Sequence, residues 1–209
     1  MSNNLISIDP KTIKIFSKIM IEAKKTFDKL TMDYPDLFNN PIAKSINSKI
    51  FRFLIELYFG NDKLPKTVPF TTNYVNAGFG NKRAEIHMDN LIFTISKVKS
   101  MKELPNTAIY KEEYASHNEK LNNQLMFDLD NGSRDIKDLP YYGIISYILR
   151  NNELKEIGII VPDSKYKNIV QFIPIPLSIS TYEEIDDYKF ELDESYLISE
   201  IKKEFKILN

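Results

Sequence analysis

The sequence of 209 residues contains no cysteine. This absence excludes disulfide bonds, zinc sites built from thiolates and cysteine nucleophiles. It also fits a reducing compartment, so we expect a cytoplasmic protein. A chain of this length can bury most of its apolar surface in an ordinary core, and it needs no covalent crosslink to fold.

Long apolar segments are missing as well. The sequence has no run of about 18 apolar residues, the length that could cross a bilayer. Its first residues, MSNNLISIDP, lack the basic start and continuous apolar core of a signal peptide. We therefore expect a protein that is neither exported nor inserted in a membrane.

Histidine is scarce, so imidazole chemistry has only two candidates, His87 and His117. Neither belongs to a pair of histidines spaced four residues apart, which is the arrangement that binds a metal on a helix. We expect both to be surface histidines or hydrogen-bonded structural ones. The sequence accordingly predicts no metal site and no cofactor.

Basic and acidic residues nearly cancel, with 28 of the former and 29 of the latter. A dedicated nucleic-acid binder normally shows a clear basic excess, so the balance argues against that class. Acidic residues are concentrated after residue 181, in a segment that is either a solvated surface or a docking site for a basic partner. The residues that we assign to such a partner site are Glu183, Glu184, Asp186 and Asp187.

Two amphipathic helices are predicted at the N-terminus. Asp9 and Pro10 form a capped helix start, and apolar residues follow at three- and four-residue steps to about Leu30. The second helix has the same start signal at 40–41 and should end at Gly60, in a left-handed conformation. We expect a helical hairpin in which the second helix is the more buried.

The segment 61–82 has no clear periodicity and contains two prolines and two glycines. It predicts a long connection with one short strand near Phe70. We place a domain boundary here, between a helical part at 1–62 and a sheet domain at 63–209. A single compact domain is the alternative.

A β-hairpin is predicted around a two-residue turn at 89–90. This turn sets Met88 opposite Leu91 and Ile86 opposite Phe93, so that one side of the hairpin is apolar. The other side is mostly polar. Pattern and turn agree on a single register, because a slip by one residue would move every apolar side chain to the wrong face.

Three strands are predicted in the densest apolar run of the sequence, 141–176, which is rich in β-branched residues. They are joined by two turn segments, 151–152 and 162–164. The first turn sets Leu149 opposite Leu154 and, further along the hairpin, Ile144 opposite Ile159. Both faces of these strands are fairly apolar, which is typical of strands covered on both sides.

Three smaller elements complete the prediction. They are a helix at 110–121, a short strand at 125–129 and a last helix that Asp193 can cap. The fold class is therefore α+β, with an N-terminal helical hairpin, an antiparallel sheet built from hairpins and a C-terminal helix.

The segment 78–83 could bind a phosphate. Its two glycines would let backbone N–H groups approach the anion, and Lys82 and Arg83 would supply positive charge, which makes them candidate nucleic-acid contacts. Phosphate-binding loops usually lead into a helix, whereas this segment leads into a predicted strand. We therefore favour a simple connector.

A metal-dependent nuclease is a further alternative. Such enzymes hold a divalent ion with an Asp and a Glu-x-Lys motif on adjacent strands. Asp138, Glu153 and Lys155 provide these residue types. However, Glu153 falls at a predicted turn rather than within a strand, so this interpretation is not the one we favour.

Three segments of the C-terminal half share a compact apolar pattern. They are NNQLMF at 122–127, YYGIISY at 141–147 and EIGIIVPDS at 156–164. In these segments the chain resembles a β-rich domain of uncharacterised bacterial and phage proteins. The resemblance implies a role in mobile elements or in phage–host conflict, and it implies no catalytic residues.

The sequence favours a non-enzymatic interaction or regulatory protein, because it shows no convincing catalytic constellation but a polarised charge distribution. We expect a protein partner, bound through an edge of the sheet or through the acidic segment. The alternative is a nucleic-acid-binding protein or a nuclease. A third class, a small-molecule enzyme whose residues meet only in the fold, stays open.

Overall fold

The computed structural model describes residues 6–35, 38, 47–62, 64–78, 81–121, 139–177 and 193–205. The helices in this part of the chain are α1 (Pro10–Asp33), α2 (Asn47–Phe59), α3 (Ile109–Ser116) and α4 (Glu194–Phe205), and a 3-10 helix (His117–Leu121) continues α3. The strands are β1 (Thr71–Gly78), β2 (Asn81–Met88), β3 (Leu91–Lys97), β4 (Tyr141–Arg150), β5 (Glu153–Pro162) and β6 (Ile169–Ile175). The predicted α+β class is confirmed.

The six strands form one sheet in the order β1-β2-β3-β4-β5-β6. Neighbouring strands are antiparallel except β3 and β4, which are parallel. The prediction of an antiparallel sheet is thus right for most of the pairings and wrong for this one. The reason is that α3 lies between β3 and β4 in the chain, and a crossover of this kind returns the chain in the same direction.

The hairpin of β2 and β3 has the predicted register. Met88 lies opposite Leu91 and Ile86 lies opposite Phe93. Asp89, in the turn, has a φ of 46°, a left-handed value that Asp and Asn tolerate better than most residues.

The hairpin of β4 and β5 has the predicted pairing near its turn only. Leu149 lies opposite Leu154, as expected, but Ile144 lies opposite Ile160 rather than Ile159. A register shift between residues 148 and 149 displaces the rest of the hairpin by one residue, as a β-bulge does. The sequence contains no local signal for this bulge.

The front face of the sheet is covered by α1 and α2. Asp9 caps α1 as predicted, because its side chain accepts a hydrogen bond from the Thr12 backbone N–H at 3.2 Å. The ring of Phe16 on α1 contacts Phe59 on α2 and Phe93 on β3. One hydrophobic cluster therefore joins both helices to the sheet, while the proposed domain boundary after residue 62 stays a prediction.

Strand β1 is the largest addition to the predicted secondary structure. A strand is present next to Phe70, as expected, but it is longer than predicted, since residues 71–78 form a strand of eight residues where a connection was expected. Its sequence, TTNYVNAG, lacks apolar alternation because β1 is an edge strand with several exposed polar side chains.

The C-terminal boundary of α2 is close to the predicted one, since the helix ends at Phe59 and Gly60 follows it. Gly60, however, does not adopt the expected left-handed conformation. The predicted start of this helix at 40–41 and the predicted strand at 125–129 lie outside the described residues.

The back face of the sheet carries α3 and the 3-10 helix, which confirms helical structure over most of 110–121. The amide of Asn118 attaches this unit to two strands. Its Nδ2 donates to the carbonyl oxygens of Tyr142 (2.9 Å) and Pro162 (2.8 Å), and its Oδ1 accepts from the Tyr142 N–H (2.8 Å). This buried amide links β4 to β5 just beyond their last paired residues, Ile144 and Ile160.

The closing helix α4 is also confirmed. Asp193 caps it, because its carboxylate accepts a hydrogen bond from the Tyr196 backbone N–H at 2.9 Å. Leu197 and Ile201 are buried in the same hydrophobic cluster as α1 and α2. Within the described ranges, none of the helices is long and apolar enough to cross a membrane.

Candidate functional site

A cleft of about 760 Å³ lies between the C-terminal half of α2, the edge strand β1 and the closing helix α4. We call it the acidic cleft. Its carboxylates are those of Glu56, Asp62, Asp193, Glu200 and Glu204. Its apolar and aromatic side chains are those of Phe53, Leu57, Tyr74 and Tyr196.

Glu56 is the most buried carboxylate of the cleft, with 6% of its surface exposed. Arg52 lies one helical turn earlier, and its Nε donates a hydrogen bond to Glu56 Oε1 at 2.8 Å. Burial raises the pKa of Glu56, and the attraction of Arg52 only partly opposes this rise. Glu204 raises it further, because α4 brings a second negative charge near the first.

Tyr74 forms the wall of the cleft on the β1 side. Its hydroxyl donates a hydrogen bond to the Glu56 backbone carbonyl at 3.1 Å. Burial, together with the negative charge of Glu56, raises the pKa of Tyr74 to about 12. The phenol is therefore protonated at neutral pH and adds no charge to the cleft.

Negative charge dominates the cleft. The five carboxylates face two lysines, Lys82 and Lys203, and the Lys203 ammonium lies 3.7 Å from Glu200 Oε1. A concave site that joins aromatic surface to an excess of carboxylates attracts cations whose alkyl or planar parts can pack on the rings. The side chains of lysine and arginine have this chemistry.

A second polar group lies on the back face, and we call it the back-face cluster. Glu85, only 3% exposed, accepts hydrogen bonds at Oε1 from Arg83 Nη2 (3.0 Å) and from the Tyr114 hydroxyl (2.5 Å). The guanidinium carbon of Arg83 lies 3.8 Å from the centroid of the Tyr110 ring. His87 Nε2 lies 3.5 Å from Glu85 Oε2. These contacts attach α3 to β2 through a buried ion pair.

The two histidines lie in different environments. His117 Nδ1 lies 3.1 Å from the Pro140 carbonyl oxygen, and burial lowers the pKa of His117. His87 is on the back face, beside Glu85. In the part of the chain that the structure describes, no group of three or more histidines and carboxylates is arranged to hold a metal ion.

The predicted phosphate contacts Lys82 and Arg83 lie on opposite faces of the sheet, because successive side chains of a strand alternate. Lys82 is exposed and lines the acidic cleft. Arg83 is 8% exposed and its guanidinium is engaged by Glu85 and Tyr110. The structure therefore does not bring these two cations together.

The residues of the nuclease alternative are only partly described. Glu153 is the first residue of β5, lies opposite Arg150 and is exposed. Lys155 donates a hydrogen bond to Glu153, and this contact lowers the pKa of the carboxyl group. Asp138 lies outside the described residues. The Glu153 and Lys155 side chains thus form an exposed pair at the tip of a hairpin.

The acidic segment that we assigned to a partner, with Glu183, Glu184, Asp186 and Asp187, lies outside the described residues. The acidic cleft is a different surface, although three of its carboxylates follow that segment directly in the sequence. Sequence reasoning missed the cleft. One signal was present in α2, where Arg52 and Glu56 form an ion pair at helical spacing within the otherwise apolar and aromatic stretch 50–59.

Comparison with known proteins adds nothing to this geometry. The chain matches no protein-family model, no curated protein and no solved structure. The resemblance of the C-terminal half to a bacterial and phage domain therefore stays a prediction. Function has to be argued from the chain's own residues.

Proposed function

We propose that this protein is a non-enzymatic interaction protein that binds a basic segment of a protein partner in the acidic cleft. The observation that carries the proposal is the lining of the cleft, in which five carboxylates and only two lysines surround aromatic side chains. A concave site with a few convergent charged groups on an apolar surface is the usual form of a binding site.

The cleft could bind basic side chains through two kinds of interaction, charge pairing and apolar packing. Their ammonium or guanidinium groups would meet the carboxylates of α4 that line the cleft, the half-buried Glu200 and the exposed Glu204. Their alkyl portions would pack on Phe53 and Tyr196, and a cation over a tyrosine ring gains a further attraction. Glu56, already paired with Arg52, would lie at the base of the cleft without contacting the partner directly.

The test uses two synthetic octapeptides with a fluorescent label, one of alternating lysine and valine and one of alternating glutamate and valine. We expect the basic peptide to bind with a dissociation constant of roughly millimolar or tighter, and the acidic peptide not to bind. Added salt should weaken the binding, because the attraction is screened. Fluorescence anisotropy measures both effects.

A pair of matched variants locates the binding site. Glu200→Gln combined with Glu204→Gln removes two charges from the cleft and should weaken binding of the basic peptide about fivefold or more. Glu112→Gln combined with Glu113→Gln removes the same charge from the exposed surface of α3, on the back face. Equal weakening by both pairs, or failure of the basic peptide to bind, contradicts the proposal.

The nucleic-acid alternative predicts the opposite charge preference. A labelled single-stranded oligonucleotide in the same assay would then bind in place of the basic peptide, and binding would depend on Lys82. The nuclease version requires cleavage in the presence of magnesium that Glu153→Ala abolishes. The carboxylate excess of the cleft and the engagement of Arg83 by Glu85 support the protein partner instead.

The setting of this interaction rests on sequence alone. The resemblance of 122–164 to bacterial and phage domains supports a role in a mobile element or in phage–host conflict, and we carry that setting as part of the proposal. In such a setting, the partner would be a protein with an accessible lysine- or arginine-rich segment.

A further inference from the structure

The two edges of the sheet differ in how they are protected. The β6 edge contains Pro174, which has no N–H to offer to an added strand. The side-chain amide of Gln171, also on β6, accepts a hydrogen bond from the Ile6 N–H (2.9 Å) and donates one to the Ile6 carbonyl (2.8 Å). Proline and an overlying segment are devices that block pairing with another chain.

Among the residues that the structure describes, the β1 edge has neither device. Its residues, TTNYVNAG, include no proline and no charged side chain. β1 is hydrogen-bonded to β2 on one side, and within the described ranges no strand pairs with its other side. The register shift between Asn76 and Gly78 is its one irregularity, so residues 71–76 form a regular edge that no other described strand covers.

This open edge borders the acidic cleft. Tyr74 of β1 and Lys82 of β2 both line the cleft, and both lie on the face of the sheet that α2 covers. An added strand beside residues 71–76 would span about 20 Å and would direct every second side chain to that face. Those side chains would point toward the carboxylates of Glu200 and Glu204.

We infer that the basic segment of the partner binds in an extended conformation and adds a seventh strand to β1, with alternate lysine or arginine side chains in the acidic cleft. The inference rests on the proposed function and specifies its mode of recognition. Main-chain hydrogen bonds to β1 would supply affinity, and the cleft would select the charge of alternate side chains.

Charge favours a foreign segment over a second copy of this chain. The edge that a second copy would offer is its own β1, and TTNYVNAG contains no cation to meet the five carboxylates. Two copies paired through β1 would also bring two acidic clefts close together, which is electrostatically unfavourable.

The test measures amide hydrogen exchange of the full-length protein by NMR, with and without the octapeptide of alternating lysine and valine. Amides of 71–76 that already bond to β2 should keep their exchange rates. The outward-facing amides between them should exchange about tenfold more slowly when the peptide is bound. This pattern, with a period of two residues, is the signature of an added strand.

A pair of modified peptides gives a second readout. Backbone N-methylation of every second residue removes the hydrogen-bond donors of one peptide edge, and methylation of the other residues removes those of the opposite edge. Because both sets keep their side chains, strand addition predicts that one set binds about tenfold more weakly than the other. Equal affinities for the two sets overturn strand addition.

The outcomes separate the two proposals. Binding of the basic peptide without slower exchange in 71–76 overturns strand addition and leaves the proposed function standing. Absence of binding overturns both. Slower exchange that depends on protein concentration and needs no peptide shows pairing of two copies, and it overturns the choice of a basic segment as the occupant.

Discussion

The ring of Tyr74 occupies the space in which a side chain on Gly60 would begin. Its hydroxyl also donates a hydrogen bond to the Glu56 carbonyl, in the last turn of α2. The glycine is therefore required by the close approach of an edge-strand tyrosine. This contact fixes the distance between α2 and β1, and hence the shape of the acidic cleft.

Gly60→Ala should displace the Tyr74 ring and cost about 1 kcal/mol of unfolding free energy, the typical contribution of one hydrogen bond. In a Tyr74→Ala background the same change should be neutral or slightly stabilising, because alanine restricts the unfolded chain. Urea denaturation of the four proteins completes the double-mutant cycle. Equal costs in both backgrounds would show that Gly60 is needed for another reason.

The back-face cluster should contribute strongly to stability. Glu85→Gln leaves the Arg83 guanidinium buried without its counterion, and we expect a loss of about 3 kcal/mol of unfolding free energy. Tyr114→Phe removes one hydrogen bond to a charged group and should cost about 2 kcal/mol. The double variant should lose less unfolding free energy than the sum of the two single losses, because both substitutions act on the interactions of Glu85.

The control for this cluster is Glu112→Gln, which removes an exposed carboxylate from the same helix. It should change the unfolding free energy by less than about 0.5 kcal/mol. Denaturation with urea measures all of these variants. A Glu85→Gln protein as stable as the original chain would mean that Arg83 finds another partner or water.

The contribution of Lys111 to the stability of the protein should rise between pH 8 and pH 10.5. Burial lowers the pKa of Lys111 from 10.5 to about 8, and the positive charge of Arg52 acts in the same direction. Between these two values the unfolded chain holds a proton that the folded chain has lost. The contribution of Lys111 to stability must then increase with pH across this window, and below it the folded chain carries an unfavourable buried charge at this lysine.

Lys111→Met should remove this rise and make the protein more stable near pH 7, although it loses the hydrogen bond from the Lys111 ammonium to the Asn106 carbonyl. Urea midpoints at several pH values between 7 and about 9.5 measure the difference between the two proteins. Lys155→Met, at an exposed position, is the matched control and should leave the slope unchanged. A parallel pH dependence in Lys111→Met and the original chain would refute the assignment.

Local chemistry in the sequence determined much of the secondary structure. Asp9 and Asp193 mark two helix starts, because their carboxylates satisfy backbone N–H groups within three residues. The turn at 89–90 sets the hairpin register, because the pairing of Met88 with Leu91 depends only on the residues beside the turn. Signals of this kind involve neighbours in the chain, so a single sequence contains them in full.

Other features depended on packing between distant segments. β1 has no alternation of apolar and polar residues, and it is a strand only because β2 offers it a partner. The parallel pairing of β3 with β4 follows from the position of α3 on the back face. The bulge near residue 148 follows from the way in which β4 and β5 pair. None of these three features has a local cause that the spacing of apolar residues in the sequence could reveal.

The acidic cleft also combines a feature that the local sequence determines with features that depend on tertiary packing. The sequence by itself determined that Glu56 pairs with Arg52, because four residues on a helix bring two side chains together. Only the tertiary structure decided that Glu56, Tyr74 and Glu200 line one cavity. They come from α2, the edge strand β1 and the closing helix α4. The burial of Leu197 and Ile201 in the shared core holds α4 beside α2 and β1.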